Sequence, residues 1–250
     1  MKQLFILACI ALLNFSAVNV TIAQDADEIV STYIETIGGA EKLASITSIK
    51  MTGKANSFGM NFPIEITTAA PGSMKMVLEF QGKSITQMAF DGETAWTTNF
   101  MTMEAEKMDS EQTAVFKRTT EFPDPLFNYK EKGYTVSLDG EKEIEGTACY
   151  KVKLNRGTMT IDDKEETLET VYYFDKETFV PIMQQEFSMI GEMKGKSSET
   201  YFSDYDEVDG YIVPFTMTQK VDGQVMMEGT IEKVELNIDV EADAFAFPEK

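Results

Sequence analysis

The sequence predicts a mainly β protein in which about ten antiparallel strands form one curled sheet behind an N-terminal helix. Three observations predict it. Short segments alternate apolar and polar residues with a period of two. Tight turn signals such as Asp91-Gly92 and Asp222-Gly223 join them, as antiparallel pairing requires. No Pro/Ser-rich linker or low-complexity tract divides the chain, so one large domain accounts for all of them.

The first segment is an address. Met1-Lys2 is followed by an apolar run from Leu4 to Val18, and Thr21-Ile22-Ala23 offers small residues for cleavage after Ala23. The run is shorter than the roughly 20 residues of a membrane span, and Asn14 interrupts it. Residues 1–23 are therefore expected to be a cleaved signal peptide, and residues 24–250 the exported domain. Cys9 lies inside the apolar run, where it cannot become a lipidated N-terminus, so no lipid anchor is expected. Cys149 is then the one remaining thiol; with no partner and no histidine to activate it, it reads as a small strand residue.

Asp25 to Ile37 places Ile29, Val30, Tyr33, Ile34 and Ile37 on one helical face, with acids in the first turn, and Gly38-Gly39 ends it. Ala40 to Ile46 suits a short second helix. Ser73 to Phe80 alternates as a strand, and Lys83 to Asp91 and Thr94 to Thr97 follow across the Asp91-Gly92 turn. Ala148 to Leu154 and Glu169 to Phe174 are further strands; Asp175 to Thr178 then turns into Phe179 to Phe187. Tyr211 to Met217 alternates, and Val221-Asp222-Gly223-Gln224 turns into a long strand from Val225 to Ile238. The interval Asp109 to Lys132 breaks the rhythm. It has helical spacing around Ala114, Val115 and Phe116, then Pro123 and Pro125, and another helical turn is expected at Leu126 to Tyr129. Such an insert either plugs the concave side of a curved sheet or makes a surface excursion.

The composition excludes several functions. The 250 residues contain no histidine, 22 Lys and Arg, 42 Asp and Glu, and carry a net charge of −20. The absence of imidazole removes His-based triads, zinc ligands and general bases. The charge repels phosphate backbones and anionic headgroups, so no nucleic-acid partner is expected. No segment beyond the signal is apolar enough for a span, so an integral membrane protein is not expected. Gly82-Lys83-Ser84 and Gly195-Lys196-Ser197 lack the earlier glycine of a phosphate loop. Asp204 to Gly210 resembles a calcium loop but has Val208 and Phe215 where the loop needs oxygen ligands, leaving at most a weak surface site. No cofactor and no catalysis are expected.

What remains is a load of 16 Met, 17 Phe, 9 Tyr and one Trp. Met is unbranched and adapts to ligands of varied shape. Several strands carry apolar residues on both faces, as at Met76-Val77-Leu78 and Met226-Met227. A sheet with a solvated outer face alternates more strictly, and a sheet curled around an apolar cavity accounts for the excess.

Short stretches along most of the exported chain resemble the outer-membrane lipoprotein-sorting (LolA/LolB-like) family. They are Ile37-Gly38-Gly39 with Lys42-Leu43, Ile49 to Gly53, Pro71 to Lys75, Phe90 to Trp96, Tyr173 to Pro181 and Asp204 to Pro214, in that order. The resemblance implies an unclosed (half) β-barrel of 10–11 strands with a helical lid. It also implies a non-enzymatic periplasmic carrier that holds acyl chains of lipoproteins or other lipids, with an envelope protein delivering or receiving the cargo. A mature chain with no N-terminal Cys resembles the soluble carrier side. In that family a basic residue on an early strand, usually Arg, holds the lid; Pro71 to Phe80 offers only Lys75, and the two arginines are Arg118 and Arg156. Strand alternation assigns Met74, Met76, Leu78, Phe80, Met88, Phe90, Trp96, Tyr172, Phe174, Phe215 and Met217 to the cavity wall, an assignment that a one-residue register shift would invert. The competing reading is an envelope protein-interaction module with a filled β core and no ligand.

Overall fold

The computed structural model describes residues 25–57 and 59–248. The expected signal peptide and Cys9 lie outside them. Helices α1 (Ala26–Thr36) and α2 (Gly39–Ser45) come first, and Asp25 caps α1, its carboxylate accepting from Glu28 N at 2.8 Å. Four strands follow: β1 (Ser48–Ser57), β2 (Met60–Ala69), β3 (Ser73–Phe80) and β4 (Lys83–Phe90). Two short ones come next, β5 (Ala95–Thr98) and β6 (Ala105–Lys107). Helix α3 (Ser110–Thr119) carries a full capping box, in which Asp109 and Gln112 satisfy each other's backbone N–H groups. The chain ends in β7 (Thr135–Ile144), β8 (Thr147–Ile161), β9 (Lys164–Asp175), β10 (Pro181–Phe187), β11 (Ser197–Val208), β12 (Tyr211–Val221) and β13 (Gln224–Leu236).

All thirteen strands belong to one antiparallel sheet that does not close, in the order β6-β5-β4-β3-β2-β1-β13-β12-β11-β10-β9-β8-β7. The count exceeds the expected 10–11, because β6 has three residues and β7 and β11 are dominated by polar residues that hide the alternation. Leu126 to Tyr129 forms turns, not the expected helical turn. Every neighbouring pair is sequential except β1 with β13 at the centre. Several hairpins are two-residue turns with both central residues at positive φ, as at Asp222 (48°) and Gly223 (78°). The Asp209-Gly210 turn is built the same way between β11 and β12.

This order makes the sheet two wings joined at β1–β13. Its edges are β6 and β7, so the connection between them, residues 108–134, must run from one edge to the other. That topology places the α3 insert across the open seam of the barrel.

One face of the sheet, the inner face, carries the main core. Ile29, Val30 and Tyr33 of α1, Ile37 just after it and Leu43 of α2 pack there on Ile49, Ile64, Val152, Leu154, Phe174, Val213 and Ile231. Tyr33 stacks at a tilt on Phe174 with ring centroids 5.3 Å apart. A smaller cluster, Ile144, Cys149, Val171, Tyr173 and Met183, lies on the outer face. Gly53, at an irregularity of the β1–β13 ladder, has no room for a side chain, since a Cβ there would stand 2.1 Å from Thr230 O and 2.8 Å from Ile231 Cα. Gly53→Ala is expected to lower unfolding free energy by about 1–3 kcal/mol, because backbone of the central pair must move. Chemical denaturation checks this; an unchanged midpoint would show that the join between the wings is pliable.

Candidate functional site

Helices α1 and α2 fill only one end of the inner face. Along β12 the buried Tyr211 and Val213 lie in the main core, whereas the chain beyond Met217 runs out to Gln219 and the β12–β13 turn. At that end the inner face is uncovered. It forms a cavity of about 490 Å³ lined by Ala55, Met60, Phe62, Ile64, Met76, Leu78, Phe80, Phe100, Met226 and Met227, with Ser57, Gln87 and Gln219 as its polar members. The volume lies within the roughly 300–1,000 Å³ of small-molecule sites. Its composition follows from the register: Ala55 pairs with Phe62, Ile64 with Leu78 and Ile66 with Met76, so alternate residues of three strands line one wall.

The rim is apolar as well. Phe100 is 55% exposed and Met101 92% exposed on the β5–β6 turn, and Met60 and Val225 are exposed at neighbouring hairpins. Isolated exposed apolar residues are ordinary; a group of them at the mouth of an apolar cavity marks a contact surface. A second groove, of about 580 Å³, lies where Asp175, Asp204, Asp206 and Glu207 meet Ile182 and Ile212; four carboxylates make it a poor container for an apolar chain.

Helix α3 straps the two wings together. On one side Phe116 meets Phe90 of β4 edge to face, centroids 5.5 Å apart. On the other, Glu111 accepts from Asp162 N at 2.8 Å beyond β8, and the Arg118 guanidinium donates to the Arg156 carbonyl. None of the α3 side chains is buried, in contrast with α1. The helix is thus held at a few points over a shallow contact, as a movable cover would be.

Beneath its C-terminal end lies a buried polar cluster. Arg156, 3% exposed, donates to Thr170 Oγ1 at 2.6 Å, and Thr170 donates to Glu186 Oε1 at 2.6 Å. Glu121 stands 3.9 Å from Arg156 Nε and pairs with Lys132 at 2.5 Å. Both arginines of the chain therefore serve the strap. Lys75, the basic residue on the early strand, does not. It lies on the outer face, 5.8 Å from the Trp96 ring centroid, and donates to Ala244 O at 3.2 Å.

The rest of the connection is fastened to α1. Tyr33 donates to Asp124 Oδ2 at 2.6 Å, Leu126 N donates to Asp124 Oδ1 at 2.7 Å, and Tyr129 and Lys130 both bond Asp27. Burial holds the Asp124 carboxyl above its ordinary range, with the Tyr33 hydrogen bond pulling the other way. Burial and Asp124 together push the Tyr33 hydroxyl far up, so it stays a donor.

The residues that alternation assigned to the cavity separate into groups. Met76, Leu78 and Phe80 line it. Met74 and Met88 share that face, opposite Phe90 and Met76 respectively, but lie outside the lining; Phe90 is buried against Phe116. Tyr172 and Phe174 are buried in the main core, and Phe215 and Met217 pack against it. Trp96 stands on the outer face, because it pairs with Ala89, the partner of Lys75. Its Nε1 donates to Phe245 O at 2.9 Å, and Phe247 meets it edge to face. Alternation within one strand could not reveal which face the C-terminal segment would cover. The lining residues of β1, β2 and β13 were missed, although Met226-Met227 carried the signal.

Cys149 is buried in the outer cluster, and burial pushes its thiol up to about 11, which keeps it protonated at neutral pH. Among the described residues no group of three or more acids or thiols could hold a metal, and no helix is long and apolar enough to cross a membrane. Asp204, from the calcium-like loop, has a positive φ of 53° and accepts from Thr216 Oγ1 at 2.6 Å.

No family model matches the chain, and no curated protein matches it by sequence. Solved structures match by fold. An outer membrane lipoprotein-sorting protein domain from Vibrio parahaemolyticus superposes with a TM-score of 0.55 at 12% identity, covering 88% of this chain and 95% of the other. A DUF1329 family protein from Desulfovibrio piger gives 0.54 at 11% identity, covering 88% and 96%. A LolA superfamily protein from Nitrosomonas europaea gives 0.53 at 11% identity, covering 89% and 97%. The open sheet with its helical cover is thus a fold of LolA type.

Proposed function

We propose that this protein is a non-catalytic periplasmic carrier that takes acyl chains of lipoproteins or other lipids into the inner-face cavity for transfer towards the outer membrane. The observation that carries the reading is the Met- and Phe-lined cavity, left open at the end of the sheet that α1 and α2 do not cover. Burial of a chain there contributes about 0.8 kcal/mol per CH₂, so ~10 methylenes offer roughly 8 kcal/mol before the costs of association. The exposed rim residues Phe100 and Met101 supply an apolar path to the mouth. The fold likeness to a lipoprotein-sorting domain supports the same reading. An interaction module with a filled β core leaves the cavity unexplained. Native mass spectrometry of the protein isolated from its own host tests the proposal. Mass increments dissociating as lipid or acylated protein are expected; apo protein only, with no uptake of an apolar fluorescent probe, would overturn it.

In this reading α3 is the cover that admits cargo. Arg118→Ala removes its side-chain bond to β8 while Phe116 still holds the other side. Amide exchange across residues 110–119 is expected to quicken by about tenfold, with global stability within about 0.5 kcal/mol of the parent. Unchanged exchange would show that Arg118 does not fasten the strap.

A further inference from the structure

The inner face beside the Met and Phe wall, which meets the cavity at Gln219, is of a different kind. Ladder pairing sets Tyr172 opposite Gln184, Gln184 opposite Thr200, Thr200 opposite Gln219 and Gln219 opposite Met227. Residues directly opposite share a face, and both ends of this row are on the inner face: Tyr172 in the main core, Gln219 and Met227 in the cavity lining. A row of amide and hydroxyl side chains therefore crosses the inner face from the core to the cavity. Among the described residues, the side chains of Gln184 and Thr200 have no hydrogen-bond partner, and the Gln219 amide makes only a long contact of 3.4 Å to Ser198 Oγ. Buried or half-buried amides are ordinarily paired, so such a row has donors and acceptors to spare.

The charge around the row is equally specific. No lysine or arginine lines the cavity. The next inner-face position along β10 is Glu186, and Arg156 beside it is engaged with Thr170. A carboxylate or phosphate brought to this row would lose its water without gaining a cation, and the nearest charge along β10 is the carboxylate of Glu186. A neutral amide, ester or hydroxyl can donate to and accept from the Gln and Thr side chains.

We infer that the cavity selects amphiphiles by headgroup: an apolar chain lies against the Met and Phe wall while an uncharged hydrogen-bonding linkage sits on the Gln184–Thr200–Gln219 row, and anionic headgroups are rejected. The inference rests on the carrier reading above and names its ligand class, a single-chain neutral amphiphile of the N-acyl amide or monoacylglycerol kind.

Displacement of N-phenyl-1-naphthylamine by two ligands of one chain length, N-dodecanoylethanolamine and dodecanoate, tests it. At about pH 8 the amide is expected to bind at least about tenfold more tightly, and the gap should narrow towards pH 5 as the acid becomes able to enter uncharged. The double substitution Gln184→Leu with Gln219→Leu should shrink the wild-type preference to less than about threefold by removing the hydrogen-bond partners of the linkage. Equal or tighter binding of dodecanoate by the wild-type protein at about pH 8 overturns the headgroup inference and leaves the carrier standing. Failure of the naphthylamine and both ligands to bind overturns the carrier reading itself.

Discussion

Met76→Arg is expected to weaken binding of an apolar probe at least about a hundredfold, while the protein keeps its fold. Met76 lines the cavity, pairs with Ile66 on β2 and Met88 on β4, and does not belong to the main core cluster. The cavity opens to solvent at the rim, so a guanidinium on this wall stays hydrated in the empty protein. An incoming acyl chain would have to strip that hydration and share a reduced volume. Met76→Leu, which preserves apolar character and most of the volume, should bind within about threefold of the parent. Fluorescent-probe titration with near-ultraviolet circular dichroism on each variant separates loss of the site from loss of the fold. Wild-type affinity in the Arg variant would place the apolar site elsewhere on the molecule.

The sequence carried the wall of this cavity more plainly than its position. Ser73 to Phe80 alternates cleanly, and the structure sets Met76, Leu78 and Phe80 together as that pattern requires. Alternation reports two faces without saying which one a later segment will cover. Trp96 shows the consequence: residues 244–247, distant in the chain, fold back and bury it on the outer face. Tyr172 and Phe174 alternate as convincingly as Met76, but α1 lies on them through Tyr33 and turns that end of the inner face into packed core. Which half of a curved sheet stays empty is decided by where the helices settle, a tertiary fact no strand pattern contains.

The insert was legible in a different way. The helical spacing around Ala114, Val115 and Phe116 gave its secondary structure away, whereas the Asp109 capping box emerged only from the structure. Its role as a strap follows only from the strand order, since β6 and β7 are opposite edges of one sheet and residues 108–134 must span the distance between them. The two arginines are few enough in the sequence to be noticed. Their meeting at the contact of α3 with β8 was invisible until that path was known.

Asp124→Ala is expected to be the most destabilising of the substitutions considered, because it strands two partners at once. The Tyr33 hydroxyl and the Leu126 N–H would both be left buried without an acceptor, at about 1–3 kcal/mol each. A total near 4 kcal/mol corresponds to a fall in Tm of roughly 8–16 °C for a chain of this size. Tyr33→Phe should cost less, since Leu126 N still satisfies one carboxylate oxygen. The pH dependence separates this carboxyl from the others. Burial raises its pKa in the folded state, so folding favours the protonated form. Its contribution to stability is therefore full below the ordinary aspartate value of about 3.9 and is lost as pH rises through the raised folded-state value. Asp27, Asp139 and Asp162 have the opposite sign: lysine partners lower their pKa values, and their contribution is lost as pH falls. Subtracting the Tm profile of Asp124→Asn from that of the parent isolates the one carboxyl. The difference, parent minus Asn variant, should decrease with rising pH across that window and then level off. A difference that is flat, or that grows with pH, would mean that Asp124 is ionised at least as readily in the folded chain as in the unfolded one and that the Tyr33 bond, not burial, governs it.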